Sequence, residues 1–286
     1  MFQKIYQQAA PLVFKVELLE GGEPCGNGTA FHIGGGYMVT AKHVVERVKE
    51  GHHTIGAISN GYYEELRQPQ PNESQSKEGA SVLPKITCNG EWFPDQVLEE
   101  QQFERERYDA LIQSDIAILK TNLDAQTFMT ALLKRKAKPW ETALILAPMS
   151  NLTVTPRSVG KPVVCIGYPR IYGTKDCTTA YCYPSHIAAL GTSPHDSLKR
   201  FTIHGPALGG LSGGPVLIDG QDEYGPRVLG MITECAHDAG SGQVGEDGQM
   251  PSDWGFLSAI SLTVAELMSC KLKVPSPFQD IGMLNA

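Results

Sequence analysis

Val13-Phe14-Lys15-Val16-Glu17-Leu18 alternates apolar and polar positions, the pattern of a strand with one buried face. Residues 1–11 ahead of it read as a short helix ending near Pro11. Glu20-Gly21-Gly22-Glu23-Pro24 is turn chemistry, and Gly26 to Ile33 reads as a second strand. Gly34-Gly35-Gly36 then turns the chain into a third, Tyr37-Met38-Val39-Thr40-Ala41. Short strands with glycine turns at this spacing predict an antiparallel barrel or sandwich, not alternating βα units. Asn60 to Ala80 is polar and reads as an exposed inserted loop. Asn89-Gly90, between Lys85–Cys88 and Trp92-Phe93, predicts a hairpin. Glu99 to Arg107 is charged and reads as exposed, and Ser114-Asp115-Ile116-Ala117-Ile118-Leu119-Lys120 is a compact apolar strand opened by an aspartate.

From Asp124 to Lys138 the period becomes helical. Asp124 can cap, and Phe128, Ala131 and Leu132 can share one face. Strands return after Pro156: Lys161 to Pro169, Ile187 to Gly191, Phe201 to Ile203, Val228 to Thr233 and Gly255 to Ile260. Leu262 to Leu272 is helix-like, and the tail from Pro275 is turn-rich. The order is β-rich half, helical linker, β-rich half, terminal helix, with no repeat between the halves. The segments are 12–122 and 159–272 for the two halves, 123–158 for the linker and 273–286 for the tail.

Composition narrows the class. At 41% hydrophobic and 19% charged, the 286 residues can bury an ordinary globular core. A net charge of −7 argues against a general polyanion binder, so no nucleic-acid partner is expected. No apolar run is long enough to span a membrane. Met1 to Gln8 lacks the apolar core of a signal peptide, which predicts a cytoplasmic chain. Seven scattered cysteines fit reduced thiols better than a disulfide framework. No cofactor is expected, and the sequence assigns no oligomeric state.

The chemistry concentrates in Gly209-Gly210-Leu211-Ser212-Gly213-Gly214-Pro215-Val216. A glycine cluster implies a backbone shape that side chains would block. A serine hydroxyl is a weak nucleophile until a base takes its proton and donors hold the resulting oxyanion. Ser212 is therefore the candidate nucleophile, with the N–H groups of Gly210 and Ser212 able to point at one spot. Among eight histidines His43 is the best base, because it follows the strand ending Thr40-Ala41. Two acids follow, Asp109 and Asp115. Asp115 heads an apolar strand, so it is expected to be partly buried and to need a hydrogen-bond partner, which an imidazole N–H supplies. Asp109 lies in a charged run and reads as a solvated surface group.

Thr40-Ala41-Lys42-His43, Ser114 to Lys120 and Gly210-Leu211-Ser212-Gly213-Gly214-Pro215 resemble the three signature segments of chymotrypsin-like (trypsin-fold) serine proteases, in that family's order. Gly160 to Pro169 and His186 to Gly191 are similar to strands of its bacterial, HtrA-like branch, here with no segment long enough for a PDZ domain. The resemblance covers roughly residues 12–262. It implies an all-β fold of two packed six-stranded antiparallel Greek-key β-barrels, with the short N-terminal helix, the helical linker and a C-terminal helix. It also implies a serine endopeptidase acting on protein or peptide substrates through an acyl-enzyme. In it His43 is the general base, Asp115 its orienting acid, Ser212 the nucleophile, and Gly210 with Ser212 the oxyanion hole.

By the same resemblance Thr233, Glu234 and Cys235 form the edge that pairs with the substrate backbone. Pro206 and Ala207 take the pocket-floor positions, with Gly255 and Leu257 on its wall. No acid stands there to bind Lys or Arg, so cleavage after an apolar residue is expected. Leu211 replaces the aspartate that secreted members pair with a freed N-terminus, and Val44 stands where they carry a cysteine.

Three other readings compete. Gly210-Leu211-Ser212-Gly213-Gly214 also fits the Gly-x-Ser-x-Gly turn of α/β-hydrolases, but only His237 follows it and no βα alternation precedes it. A protease fold with a silent site would serve as a binding scaffold. Cys165, Cys177, Cys182 and His186 raise the question of a structural zinc at a spacing that is not a standard ribbon; the reading adopted assigns no metal. His52-His53 reads as a solvated turn.

Overall fold

A computed structural model of the chain describes residues 1–49, 51–68, 83–93, 115–146, 158–170, 179–192, 199–205, 208–220, 223–236 and 256–261. The strand pattern of the N-terminal half condenses into one sheet. Its strands are β1 (Val13–Glu20), β2 (Glu23–Gly34), β3 (Tyr37–Ala41), β4 (Thr54–Ser59), β5 (Cys88–Phe93) and β6 (Ile116–Thr121). They lie in the order β4-β1-β2-β3-β6-β5, each pair antiparallel. Helix α1 (Phe2–Ala9) precedes β1, and α2 (Lys42–Lys49) follows β3 without a loop.

Three local expectations fail for identifiable reasons. Gly61–Arg67 is a helix, α3, not part of an exposed loop. Asn60 caps it by accepting from Tyr63 N at 2.8 Å, while its amide donates to the carbonyls of Pro11 and Val13 at 2.9 and 3.1 Å. A polar residue with every group satisfied can be buried, and Asn60 is 1% exposed. Residues 69–82 lie outside the described set. The Asn89-Gly90 pair does not turn a hairpin: it sits within β5, where the register against β6 slips between Cys88 and Trp92. Gly90 thus marks a bulge, the other common use of glycine in a strand. His53 is 9% exposed rather than solvated, and it lines a cleft with β4 and Lys85 to Cys88.

The linker helix is α4 (Ala125–Leu133), capped by Asp124, which accepts from Thr127 N at 3.0 Å. Its buried face is Ala125, Phe128 and Met129, whereas Ala131 is exposed. Phe128 meets Tyr63 and Phe14, with centroids 5.0 and 6.5 Å away, so the helix is keyed into the core of the first half.

The second half forms β7 (Ile145–Leu146), β8 (Pro162–Gly167), β9 (Tyr181–Thr192), β10 (Lys199–His204), β11 (Pro215–Ile218), β12 (Arg227–Ala236) and β13 (Phe256–Ser261). The order β11-β8-β9-β10-β13-β12 closes on itself through a β11–β12 pairing, giving a six-stranded antiparallel barrel. A seventh strand, β7, adds to β12 in parallel. Two barrel-like sheets are the architecture of the trypsin-like fold. The segment 262–286, including the expected C-terminal helix, is outside the described residues.

β8 explains how the halves join. Its side chains alternate between faces, and both faces are apolar. Val163 and Cys165 pack inside the second barrel with Phe201, Ile203 and Val216. Val164 and Ile166 face the other way, into a core shared with Phe14, Phe31 and Met38 of the first.

Candidate active site

His43 is in the first turn of α2, not at the end of a strand. Pairing of β3 with β6 runs out at Ala41 opposite Ile116, and Asp115 then takes over the helix's first N–H groups. Lys42 N donates to the Asp115 carbonyl at 3.1 Å, and His43 N donates to Asp115 Oδ1 at 2.8 Å. Such N–H groups find no partner within their own helix, and a carboxylate there meets the positive end of its dipole. Asp115 is a cap supplied from another strand. Its second oxygen, Oδ2, accepts from His43 Nδ1 at 2.6 Å. With the proton on Nδ1, Nε2 is the ring's remaining acceptor. The Asp115 side chain is 17% exposed and that of His43 47%, so the ring edge faces solvent while its orienting acid is sheltered. Val44 packs on the bare Cα of Gly28, where a Cβ would come within 2.5 Å of it, and this fixes α2 against β2.

Ser212 is half-buried in the turn leading to β11. Its carbonyl accepts from Thr29 N at 2.8 Å; Gly213 N donates to Ile232 O at 2.8 Å and Gly214 N to Leu211 O at 2.8 Å. Gly213 has φ +87°, and a Cβ there would collide with the Thr29 carbonyl and the Thr40 hydroxyl. The serine turn is thus pressed against the end of β3, one residue before α2 and two before His43.

Peptide geometry aims two N–H groups. In a trans peptide the C=O and the following N–H point in opposite directions. Gly209 O is held from behind by Arg170 N at 2.6 Å, so Gly210 N–H points away from Arg170. Leu211 O is held by Gly214 N, so Ser212 N–H points away from Gly214. No backbone carbonyl among the described residues accepts from either N–H. Gly210 has φ +91°, and a Cβ there would fall 2.7 Å from the Asn27 amide nitrogen and closer still to the Tyr168 carbonyl.

The remaining sequence candidates are placed as follows. Thr233 is 2% exposed and occupies a register slip of β12 against β13. Glu234 and Cys235 pair with Ser258 and Leu257. Pro206, Ala207 and Gly255, together with Asp109 and His237, lie outside the described residues. The cysteine–histidine set does not converge. Cys165 stands opposite Tyr183, so it shares that residue's face of the sheet, while Cys182 and His186 alternate to the other face. Cys177 is outside the described residues, and no metal-binding cluster occurs among those described. Burial pushes the Cys165 thiol well above its ordinary range, and that of Cys182 upward too.

Sequence reasoning missed Asn27, Thr29 and Arg170. Asn27 donates to Tyr168 O at 2.8 Å and accepts from Arg170 Nε at 2.8 Å; Thr29 Oγ1 donates to Gly210 O at 2.7 Å. The available signal was the polar start of an otherwise apolar strand, Asn27-Gly28-Thr29 before Ala30-Phe31.

No curated protein matches the chain. Among solved structures it is similar to an HtrA-type protease, AlgW, with tripeptide, at TM-score 0.51 and 16% identity, over 95% of this chain and 64% of that one. It is also similar to the active form of the Rv3671c protease from M. tuberculosis, at TM-score 0.49 and 17% identity, over 96% and 87%. A serine endoprotease from Yersinia pestis matches at TM-score 0.47 and 16% identity, over 96% and 67%. The chain spans about two thirds of the length of the first of these, at 64%. At that identity the likeness shows the fold. The sequence itself matches the trypsin-like peptidase domain over residues 28–231, a stretch running from β2 through α2, β6 and the serine turn into β12, and by that match the chain belongs to the trypsin-like peptidase family.

Proposed function

We propose that the chain hydrolyses peptide bonds through an acyl-enzyme on Ser212. His43 Nε2 takes the proton as Ser212 Oγ attacks the scissile carbonyl carbon. The tetrahedral oxyanion accepts from Gly210 N–H and Ser212 N–H. Collapse breaks the C–N bond, and His43 returns the proton to the departing amine. Water then enters, giving its proton to His43 as its oxygen attacks the ester carbon; the acid leaves and Ser212 recovers its proton. Asp115 keeps the Nδ1–H tautomer and stabilises the imidazolium formed in both halves. Bond-making to the oxyanion is the larger electrostatic contribution: one donor is worth roughly 3 kcal/mol in comparable sites.

The observation that carries this reading is the double hold of Asp115 on His43, through ring and backbone, at 2.6 and 2.8 Å. This hold leaves the imidazole half-exposed with Nε2 as its acceptor, the state a general base requires. A preference for apolar residues before the scissile bond follows from the absence of an acid at Pro206, Ala207, Gly255 and Leu257. The test is labelling by a fluorophosphonate probe, with Ser212→Ala as control, followed by peptide-library profiling. Labelling lost in Ser212→Ala and cleavage after apolar residues are expected. Labelling that survives the substitution refutes the nucleophile, and a strong Lys or Arg preference refutes the specificity.

A further inference from the structure

The oxyanion loop belongs to the second barrel, yet much of what holds it comes from the first. Thr29, fully buried on β2, sends its N–H and its hydroxyl across this junction. Its N–H donates to Ser212 O at 2.8 Å and its carbonyl accepts from Thr40 Oγ1 at 2.7 Å. Its hydroxyl donates to Gly210 O at 2.7 Å and accepts from Tyr168 N at 3.0 Å. Asn27, two residues earlier, clamps the same segment of the second barrel. Its amide donates to Tyr168 O at 2.8 Å and it accepts from Arg170 Nε at 2.8 Å, while Arg170 Nη2 reaches Cys25 O at 3.1 Å. The clamp delivers Arg170 N to Gly209 O, the bond that turns Gly210 N–H away from Arg170.

Resting on the assignment of Ser212 and Gly210 above, we propose that Thr29 is a positioning residue for catalysis, with Asn27 as its support. Gly209 and Gly210 carry no Cβ, so rotation of the peptide between them meets little steric resistance from the loop itself. Arg170 N on Gly209 O opposes it directly, and Thr29 Oγ1 on Gly210 O holds the next peptide, against which it must turn. Removing the hydroxyl takes from Gly210 O the bond that fixes its direction, and the loop is then able to rotate. The donor is then aimed away from the substrate oxygen. Thr29 touches no reacting atom; its effect passes through Gly210.

The experiment is pre-steady-state acylation by p-nitrophenyl acetate, a substrate that asks nothing of the specificity pocket. It compares wild type with Thr29→Val, which keeps the shape and deletes the hydroxyl, and Thr29→Ser, which keeps the hydroxyl. Thr29→Val is expected to lower the acylation rate by about ten- to a hundredfold, short of or equal to loss of a whole oxyanion donor, with apparent substrate affinity within about twofold. Affinity for phenylboronic acid, whose tetrahedral adduct places an oxygen in the same hole, falls in parallel. Thr29→Ser restores most of both. Asn27→Ala, at a half-buried position, is the second variant and shows the same rate-only loss at about three- to tenfold. Wild-type acylation in Thr29→Val overturns the inference. So does an equal loss in the Val and Ser variants, or a loss confined to substrate affinity. If Thr29→Val does not fold, wild-type acylation in Asn27→Ala overturns it alone. A burst that survives Ser212→Ala refutes the nucleophile assignment, and this inference with it, whereas a silent Ser212→Ala beside an unaffected Thr29→Val refutes this inference only.

Discussion

Lowering the pH should destabilise the protein through His32 before most carboxylates titrate. His32 is 1% exposed on β2. Its Nδ1 lies 2.8 Å from Thr142 O, and its Nε2 accepts from Gly36 N at 3.1 Å. One nitrogen must donate and the other accept, so the ring is neutral; a proton on Nε2 would face the Gly36 N–H. Burial is the main cause that pushes its pKa down from 6.5 to about 4, against the opposing hydrogen bond to Thr142. In the unfolded chain the imidazole gains its proton near pH 6.5, in the folded chain only near pH 4. Between those values the unfolded state binds more protons, so stability rises with pH across the window. The contribution is complete above pH 7 and is lost as pH falls from about 6.5 to about 4. A shift of about 2.5 units corresponds to roughly 3 kcal/mol, a large share of a domain's total. The assay is urea unfolding followed by tryptophan fluorescence at several values from pH 7.5 to 4.5, for wild type and His32→Gln. The substitution is expected to cost stability at neutral pH. Its pH dependence should be shallower than wild type by up to one proton, about 1.4 kcal/mol per pH unit. Asp124 and Glu141, whose carboxyls are held low mainly by hydrogen bonds from Thr127 and Arg135, titrate alike in both proteins and cancel in the difference. A wild-type minus variant difference that stays constant with pH would refute the reasoning.

Asp115→Asn should leave the fold intact and reduce kcat on the order of ten-thousandfold, because the amide favours the wrong imidazole tautomer; ester-hydrolysis rates check it. Gly213→Ala should destabilise the protein by roughly 3 kcal/mol or more, since the Cβ meets the Thr29 carbonyl at positive φ; the thermal midpoint measures it. Asn60→Ala should cost about 2–4 kcal/mol, because it removes a helix cap and strips partners from the Pro11 and Val13 carbonyls; the urea midpoint reports this. Cys165, fully buried with its thiol pKa raised, should resist a thiol reagent in the native state and react only on unfolding, so labelling at the native rate of an exposed thiol would contradict its placement.

Strands were legible wherever one chemistry dominated a stretch. The alternation of Val13 to Leu18 and the apolar run of Ile116 to Leu119 are local signals, set by faces that are buried or not. The serine turn was legible because glycine density reports backbone shape. What failed depended on distant partners. Asn60 looks solvated until the carbonyls of Pro11 and Val13 are seen to satisfy it. Asn89-Gly90 has hairpin chemistry, but β6 offers a pairing that makes a bulge the better use of it. His43 looked like a strand end because the acid that starts its helix, Asp115, is far away in sequence. Thr29 and Asn27 were invisible as site residues for the same reason: their acceptors, Gly210 and Tyr168, belong to the other barrel.

Asp115 carries a practical implication for anyone quantifying this protein. One carboxylate holds both the imidazole of His43 and the amide that begins its helix. A molecule whose first helical turn frays loses the orientation of that imidazole in the same event. If His43 acts as proposed, competence and local folding are therefore a single variable at this corner. Titrating active sites with a stoichiometric acylating reagent should count folded molecules, and a preparation's titre should track its native fraction through a denaturant series rather than lag behind it.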